Sequence, residues 1–118
     1  MTLVVYGIPN CDTVKKARTW LSDHDHDYTF HDFKKAGVNA ALLNAWLAEV
    51  PLETLLNRRG TTWRALSDEQ KAAAEQPSEA IALMIAQPSI IKRPVVTLDG
   101  RVRAVGFTSD DYAARFPA

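Results

Sequence analysis

The chain opens with a strand, a helix and a second strand in close succession, and this unit constrains its fold more than any other feature. Leu3-Val4-Val5-Tyr6 is short, β-branched and aromatic, and reads as a strand. Gly7 and Pro9-Asn10 punctuate it. From Thr13 onward, Val14, Ala17, Trp20 and Leu21 recur at helical spacing. The Asp-rich stretch from Ser22 to Asp27 connects to Tyr28-Thr29-Phe30-His31-Asp32-Phe33, whose alternation reads as a second strand. Strand, helix and strand at this spacing make a βαβ unit with parallel strands.

The only cysteine, Cys11, falls at or just before the first turn of that helix. Unpaired amide N–H groups and the positive end of the helix dipole favour an anion there. A thiol in this place is expected to be acidified and partly ionised. Lys15 shares the helix face, and side chains slant towards the helix N-terminus, so its ammonium is expected to reach back towards the sulfur. Asn10 and Thr13 offer hydrogen bonds at the helix start. A free cysteine is often an inert buried thiol. The loop residues Pro9 and Asn10 beside Cys11 favour the reactive reading. One cysteine forms no disulfide within its own chain. If Cys11 is oxidised or attacks a substrate, the sulfur that restores it comes from outside.

A length of 118 residues predicts one domain, 1–118, able to bury a core without disulfides or metal. The 14 basic and 14 acidic residues cancel, so no global field draws the chain to nucleic acid or an anionic membrane, and neither partner is expected. No apolar run approaches the ~20 residues that span a bilayer. The N-terminus lacks the pattern of a secretory signal, which makes a cytoplasmic location the expectation. A monomer is expected.

Leu42, Leu43, Trp46, Leu47 and Val50 mark an amphipathic helix begun near Asn39. Pro51 suits the first position of a short helix with Leu52, Leu55 and Leu56 inward and Gly60 as its stop. Ser67-Asp68-Glu69-Gln70 has the form of a capping box. Ser78 opens a helix carrying Ile81, Met84 and Ile85, closed by Pro88. The segment from Ile90 leads into a strand to Leu98, Asp99-Gly100 is a hairpin turn, and Arg101–Val105 returns. Thr108 caps a last helix holding Tyr112 and Phe116. This order predicts an α/β fold, a four-stranded mixed sheet with helices on it, and a helical insertion over about 39–87.

Three segments carry a resemblance. They are Tyr6 to Ala17 around Cys11, Leu55-Leu56-Asn57-Arg58-Arg59-Gly60-Thr61-Thr62-Trp63-Arg64, and Ile90-Ile91-Lys92-Arg93-Pro94. Together they resemble the arsenate-reductase-like (ArsC) family, which also contains Spx-type regulators, and most resemble its YffB-type members. The resemblance covers nearly the whole chain. It implies a thioredoxin-like fold (βαβ…ββα) with a helical insertion, and an Arg93 that precedes a cis proline, Pro94, facing the cysteine. Arginine binds carboxylate or oxyanion groups bidentately, which makes Arg93 the leading candidate for that task. Arg58, Arg59 and Arg64 form a second basic group, also readable as a solvated helix-terminal cluster; Arg59 is its candidate for contacting substrate or glutathione. Arsenate reductases surround the oxyanion with three arginines. Here Asn57 and Val105 stand at two of those positions, with Arg103 expected on the same face as Val105. Where the family's redox regulators carry Cys-x-x-Cys, this chain has Val14 at the second position.

His24 and His26 lie two apart in an acidic loop, and a solvated loop outweighs a metal site, so no metal is expected. His31 could tune Cys11 or be structural. Trp20, Trp46 and Phe30 read as core. The function expected is a glutathione-dependent monothiol reductase with Cys11 as nucleophile. Asn10, Thr13, Lys15, Arg59, Arg93 and Pro94 would contact substrate or glutathione. No cofactor is expected to be bound, and glutathione serves as external reductant. The partners would be glutathione, a small thiol, disulfide or oxyanion substrate, and glutaredoxin. The alternatives are a glutaredoxin-dependent arsenate reductase, or an Spx-like module that binds a protein such as RNA polymerase without catalysis.

Overall fold

The computed structural model describes residues 2–116. In chain order the elements are β1 (Leu3–Gly7), α1 (Asp12–Asp23), β2 (Thr29–Asp32), α2 (Phe33–Ala36), α3 (Ala40–Leu47), α4 (Leu52–Leu55), α5 (Thr61–Arg64), α6 (Asp68–Ala73), α7 (Pro77–Ala86), β3 (Val95–Leu98), β4 (Arg101–Val105) and α8 (Ser109–Arg115). They fall into two compact units. One comprises residues 2–36 with 93–116, and the other is Gly37–Lys92. Among the described residues no helix is long and apolar enough to cross a membrane.

The first unit holds a four-stranded sheet of order β2-β1-β3-β4. β1 and β2 run parallel, with Tyr6 opposite His31, as a βαβ crossover requires. β1 and β3 are antiparallel, with Tyr6 opposite Val95. The end of β1, from which the chain runs to Cys11, therefore lies beside the start of β3, which Arg93-Pro94 precedes. The βαβ…ββα order and mixed sheet are those of a thioredoxin-like fold, as expected. Leu3 and Val5 of β1, Ala17 and Leu21 of α1, Val96 of β3, Ala104 of β4, and Tyr112 and Phe116 form one buried cluster. Each fully buried Val or Leu in it contributes about 1.5–3 kcal/mol. Trp20 and Phe30 pack against this cluster and are partly buried. The Asp99-Gly100 turn has φ of 52° and 85°. Both central residues are thus left-handed, which suits the twist of a two-residue hairpin.

The strand boundaries differ from the expectation most at the end of β2, while β1 runs one residue further, to Gly7, and β2 begins at Thr29. Phe33 does not end β2 but begins the single turn α2 and is buried. The Asp32 carboxylate accepts the Lys34 N–H at 2.9 Å, and this local bond turns the chain.

In the second unit, Asn39 caps α3 by accepting the Leu42 N–H at 2.9 Å, and Leu43 and Trp46 are buried. The capping box at Ser67 is complete: Gln70 N–H donates to the serine hydroxyl, and the Gln70 side chain accepts the Ser67 N–H. Three details depart from the sequence reading. Pro51 stands one residue before α4 rather than inside it. α4 stops at Leu55 because Leu56 turns extended and bridges Ile91, so Gly60 is not its stop but the residue that opens α5. α7 begins at Pro77 rather than Ser78, and buries Ala80 and Met84 while Ile85 is exposed.

Candidate active site

The site is built where β1 hands over to α1. The Cys11 N–H donates to the Ile8 carbonyl at 3.3 Å, closing a turn through Pro9-Asn10. Cys11 itself is the N-cap of α1, with extended backbone (φ −94°, ψ 125°), and its carbonyl accepts the Lys15 N–H at 2.9 Å. The strand and helix approach closely here. A β-carbon built on Gly7 would stand 2.8 Å from a methyl of Val14, which is fully buried.

The Cys11 thiol is half-buried. Burial pushes its pKa up, but more is pulling it down. Opposing burial are, in order of effect, the Val14 N–H, the Arg93 guanidinium with its charge, and the Thr13 N–H, although the sulfur accepts no capping hydrogen bond at the head of α1. The net position is below the ordinary thiol value. This is the electrostatics of a helix N-terminus reinforced by one cation.

Arg93 is half-buried and Pro94 buried, joined by a cis peptide bond, as the resemblance implied. Two hydrogen bonds link this segment through Gly106, the residue after β4, to Tyr112 of α8. The Gly106 N–H donates to the Pro94 carbonyl at 2.8 Å, and the Tyr112 hydroxyl donates to the Gly106 carbonyl at 2.9 Å. Gly106 has φ of 84°, a conformation that favours glycine. Burial holds the Tyr112 phenol protonated well above its usual range, with Asp111 adding to the effect. Nothing short of fold-level tracing connects Tyr112 to Pro94, and sequence spacing carried no signal for it.

Asn10 and Thr13 are exposed beside Cys11, and Thr13 acts on the sulfur through its backbone. Lys15 does not supply the charge expected of it. It is exposed and flanks a groove with Arg18 and Tyr28, and the cation on the sulfur is Arg93. Arg59 is exposed in the second unit, where its N–H donates to the Asn57 side chain at 3.2 Å. In the same unit the Arg58 guanidinium carbon lies 5.7 Å from the centre of the Trp63 ring.

Unlike Val105, Arg103 has no partner residue on β3. A bulge opposite Val96 and Thr97 leaves it outside the ladder. Its Nε donates to the Arg115 carbonyl at 3.0 Å, and Arg115 Nη1 donates to the Arg103 carbonyl, also at 3.0 Å. Arg103 is thus committed to the end of α8. His31 packs on Tyr6, with ring centres 4.8 Å apart, and His24 stacks on Trp20 at 3.9 Å.

A thiolate-favouring cysteine capping the first helix of a βαβ…ββα sheet, faced by the arginine that precedes β3, belongs to the thiol-based branch of thioredoxin-like folds. Within that class the ArsC family model matches residues 6–115, and the chain belongs to the ArsC family. A solved structure of the YffB protein is 54% identical, with a TM-score of 0.90, covering 97% of this chain and 98% of that one. An arsenate reductase (ArsC) related protein from Brucella melitensis is 50% identical with a TM-score of 0.77, covering 100% of this chain and 97% of the other. The global transcriptional regulator Spx of Streptococcus agalactiae serotype V is 27% identical over 117 residues, which is 98% of this chain and 83% of the regulator.

Proposed function

We propose that this protein is a thiol-dependent reductase that takes glutathione mixed disulfides as substrates. The Cys11 thiolate attacks the glutathionyl sulfur, an S–S bond forms between Cys11 and glutathione, and the substrate leaves as its thiolate. A second glutathione thiolate then attacks that bond, releasing oxidised glutathione and restoring Cys11. Net, one glutathione thiolate is consumed: it ends in a disulfide with the glutathionyl group of the substrate, the substrate's other sulfur leaves as a thiolate, and no second cysteine of the chain is needed. Arg93 holds the thiolate and the incoming charge, Pro94 aligns the substrate backbone, and Asn10, Thr13 and Lys15 offer contacts around the helix start.

The observation that carries this reading is the acidified, half-exposed Cys11 between the Val14 and Thr13 N–H groups and Arg93. The test is incubation with oxidised glutathione followed by mass spectrometry. A single glutathionyl adduct on Cys11, absent in Cys11→Ser and removed by reduced glutathione, supports the proposal. No adduct from an otherwise reactive thiol sinks it.

A further inference from the structure

Beside Cys11, α1 carries polar side chains that the chemistry above leaves largely unused. Cys11, Lys15, Arg18 and Ser22 follow at spacings of four, three and four residues, which return to one helix face. Lys15, Arg18, Ser22 and Tyr28 line a groove of about 460 Å³ that also takes in Asp23. A second hollow shares Arg18, Ser22 and Tyr28 and adds Asp25, Asp27 and Phe30.

Arg18 is the fixed point of this surface. Its Nε donates to the Tyr28 hydroxyl at 3.0 Å, and its guanidinium carbon lies 4.1 Å from the centre of the Phe30 ring. Among the described residues no carboxylate pairs with it. One nitrogen and one face of the fork are occupied, and among the described residues no hydrogen bond engages the terminal nitrogens of this groove-lining side chain. A guanidinium already held by stacking has surrendered its rotamer freedom, so it binds a carboxylate at reduced entropic cost. Asp23 on the groove, and Asp25 and Asp27 on the adjoining hollow, set the other half of the specificity. They repel a phosphate or any compact dianion, but they suit an ammonium next to the carboxylate. A group with both charges on one carbon is the free α-amino-acid end of a peptide. From Cys11 to Arg18 is seven residues, about 10 Å along a helix. That is the reach of roughly three extended residues.

We propose that Arg18, with Lys15, Asp23 and the aspartates of the adjoining hollow, forms a subsite for the free α-amino-acid end of a short thiol peptide whose sulfur lies at Cys11. The γ-glutamyl end of glutathione has this chemistry. The assignment rests on the reading of Cys11 as a thiol–disulfide site, but it is testable without turnover.

The test uses S-methylglutathione, which cannot react, titrated into the full-length protein while backbone amide signals are followed by NMR. The expected result is a saturable shift of the Thr19, Ser22 and Tyr28 amides, weakened roughly tenfold in Arg18→Gln, the loss of about one charge-assisted hydrogen bond. Arg18→Lys, which keeps charge without the fork, recovers part of the affinity. The S-methyl derivative of cysteinylglycine, lacking the γ-glutamyl group, is expected to bind both proteins equally weakly. Should Arg18→Gln disturb the amide spectrum of the free protein, Tyr28→Phe takes its place and is expected to weaken binding by freeing the guanidinium. Binding that Arg18→Gln leaves unchanged, shifts confined to other amides, or no binding at millimolar ligand would each overturn the subsite. An oxidised-glutathione adduct on Cys11 that forms equally fast in Arg18→Gln counts against the subsite alone. Failure of that adduct with the S-methylglutathione response intact counts against the reductase alone.

Discussion

Gly7 and Val14 are in contact so close that strand and helix could not both keep their places with a side chain at Gly7. The methyl that alanine would add meets Val14 at 2.8 Å, and Val14 is β-branched and fully buried, so it has no rotamer to retreat into. The same Val14 presents the N–H that does most to stabilise the Cys11 thiolate. Gly7→Ala is therefore expected to destabilise by about 1–3 kcal/mol, the usual cost of overpacking. It should also raise the pH midpoint of Cys11 alkylation, because the first turn of α1 has to shift. Urea denaturation and iodoacetamide kinetics read the two effects. Adding Val14→Ala should recover part of both, since it removes the colliding methyls. A Gly7→Ala protein as stable as the parent would show that the contact is loose.

The acidity of Cys11 has a definite sign in stability as well as reactivity. Its folded pKa lies below the value in the unfolded chain. Between the two, the unfolded chain holds more protons, so stability rises with pH. The thiolate's contribution is fully present above the unfolded value, ~8.5, and is lost as pH falls through the folded value. The stability difference between the parent and Cys11→Ser is thus expected to grow with pH across that window. Alkylation rate against pH should show a midpoint below the free-thiol value. Arg93→Ala should move it upward, because burial of the sulfur then loses one of its main opponents. Lys15→Gln should move it much less, since an exposed cation acts through water. Equal shifts in the two variants would contradict the geometry.

Some of this architecture was readable because its causes are local. The βαβ start follows from apolar spacing within β1, α1 and β2, and the hairpin from Asp99-Gly100, whose two left-handed residues demand such side chains. Cys11 at the head of α1 follows from strand, turn and helix signals within twelve residues. Other features depend on contacts distant in sequence. Leu56 leaves helical geometry to pair with Ile91, so Gly60 lost the role that spacing assigned to it. The bulge that turns Arg103 to the Arg115 carbonyl is a property of the β3–β4 pairing rather than of either strand. The placement of Arg93 at Cys11 came from resemblance. Helix geometry alone nominated Lys15, because spacing sees neighbours on one helix and not a residue brought in by another strand.

The hydrogen bond from Tyr112 to Gly106 predicts a clean stability loss. Tyr112→Phe keeps the packing among Phe107, Phe116 and Trp20, but leaves the Gly106 carbonyl without its side-chain donor. An unsatisfied buried acceptor costs about 1–3 kcal/mol. Equilibrium denaturation should show this loss with an unchanged slope against denaturant. A cost below ~0.5 kcal/mol would mean that water replaces the hydroxyl.

Arsenate should be a poor substrate. Its reduction through a cysteine places a small, multiply charged oxyanion against the sulfur, and rate depends on how much positive charge is fixed around it. Arg93 is held at Cys11. Of the other two positions where the family resemblance places arginines, one is Asn57, whose side chain accepts the Arg59 N–H, and the other is Val105. Arg103, two residues from Val105, is occupied at the Arg115 carbonyl. Loss of one well-placed oxyanion donor costs on the order of a hundredfold in rate, and two such losses should leave little activity. The measurement is steady-state arsenate reduction with glutathione and glutaredoxin supplied, set against reduction of a small glutathione mixed disulfide. Mixed-disulfide turnover exceeding arsenate turnover by about a hundredfold or more, with both abolished in Cys11→Ser, is the expected outcome. Efficient arsenate turnover dependent on Cys11 would reverse the ranking of substrates, and would require that a cation other than Arg93 and Arg103 complete the oxyanion site.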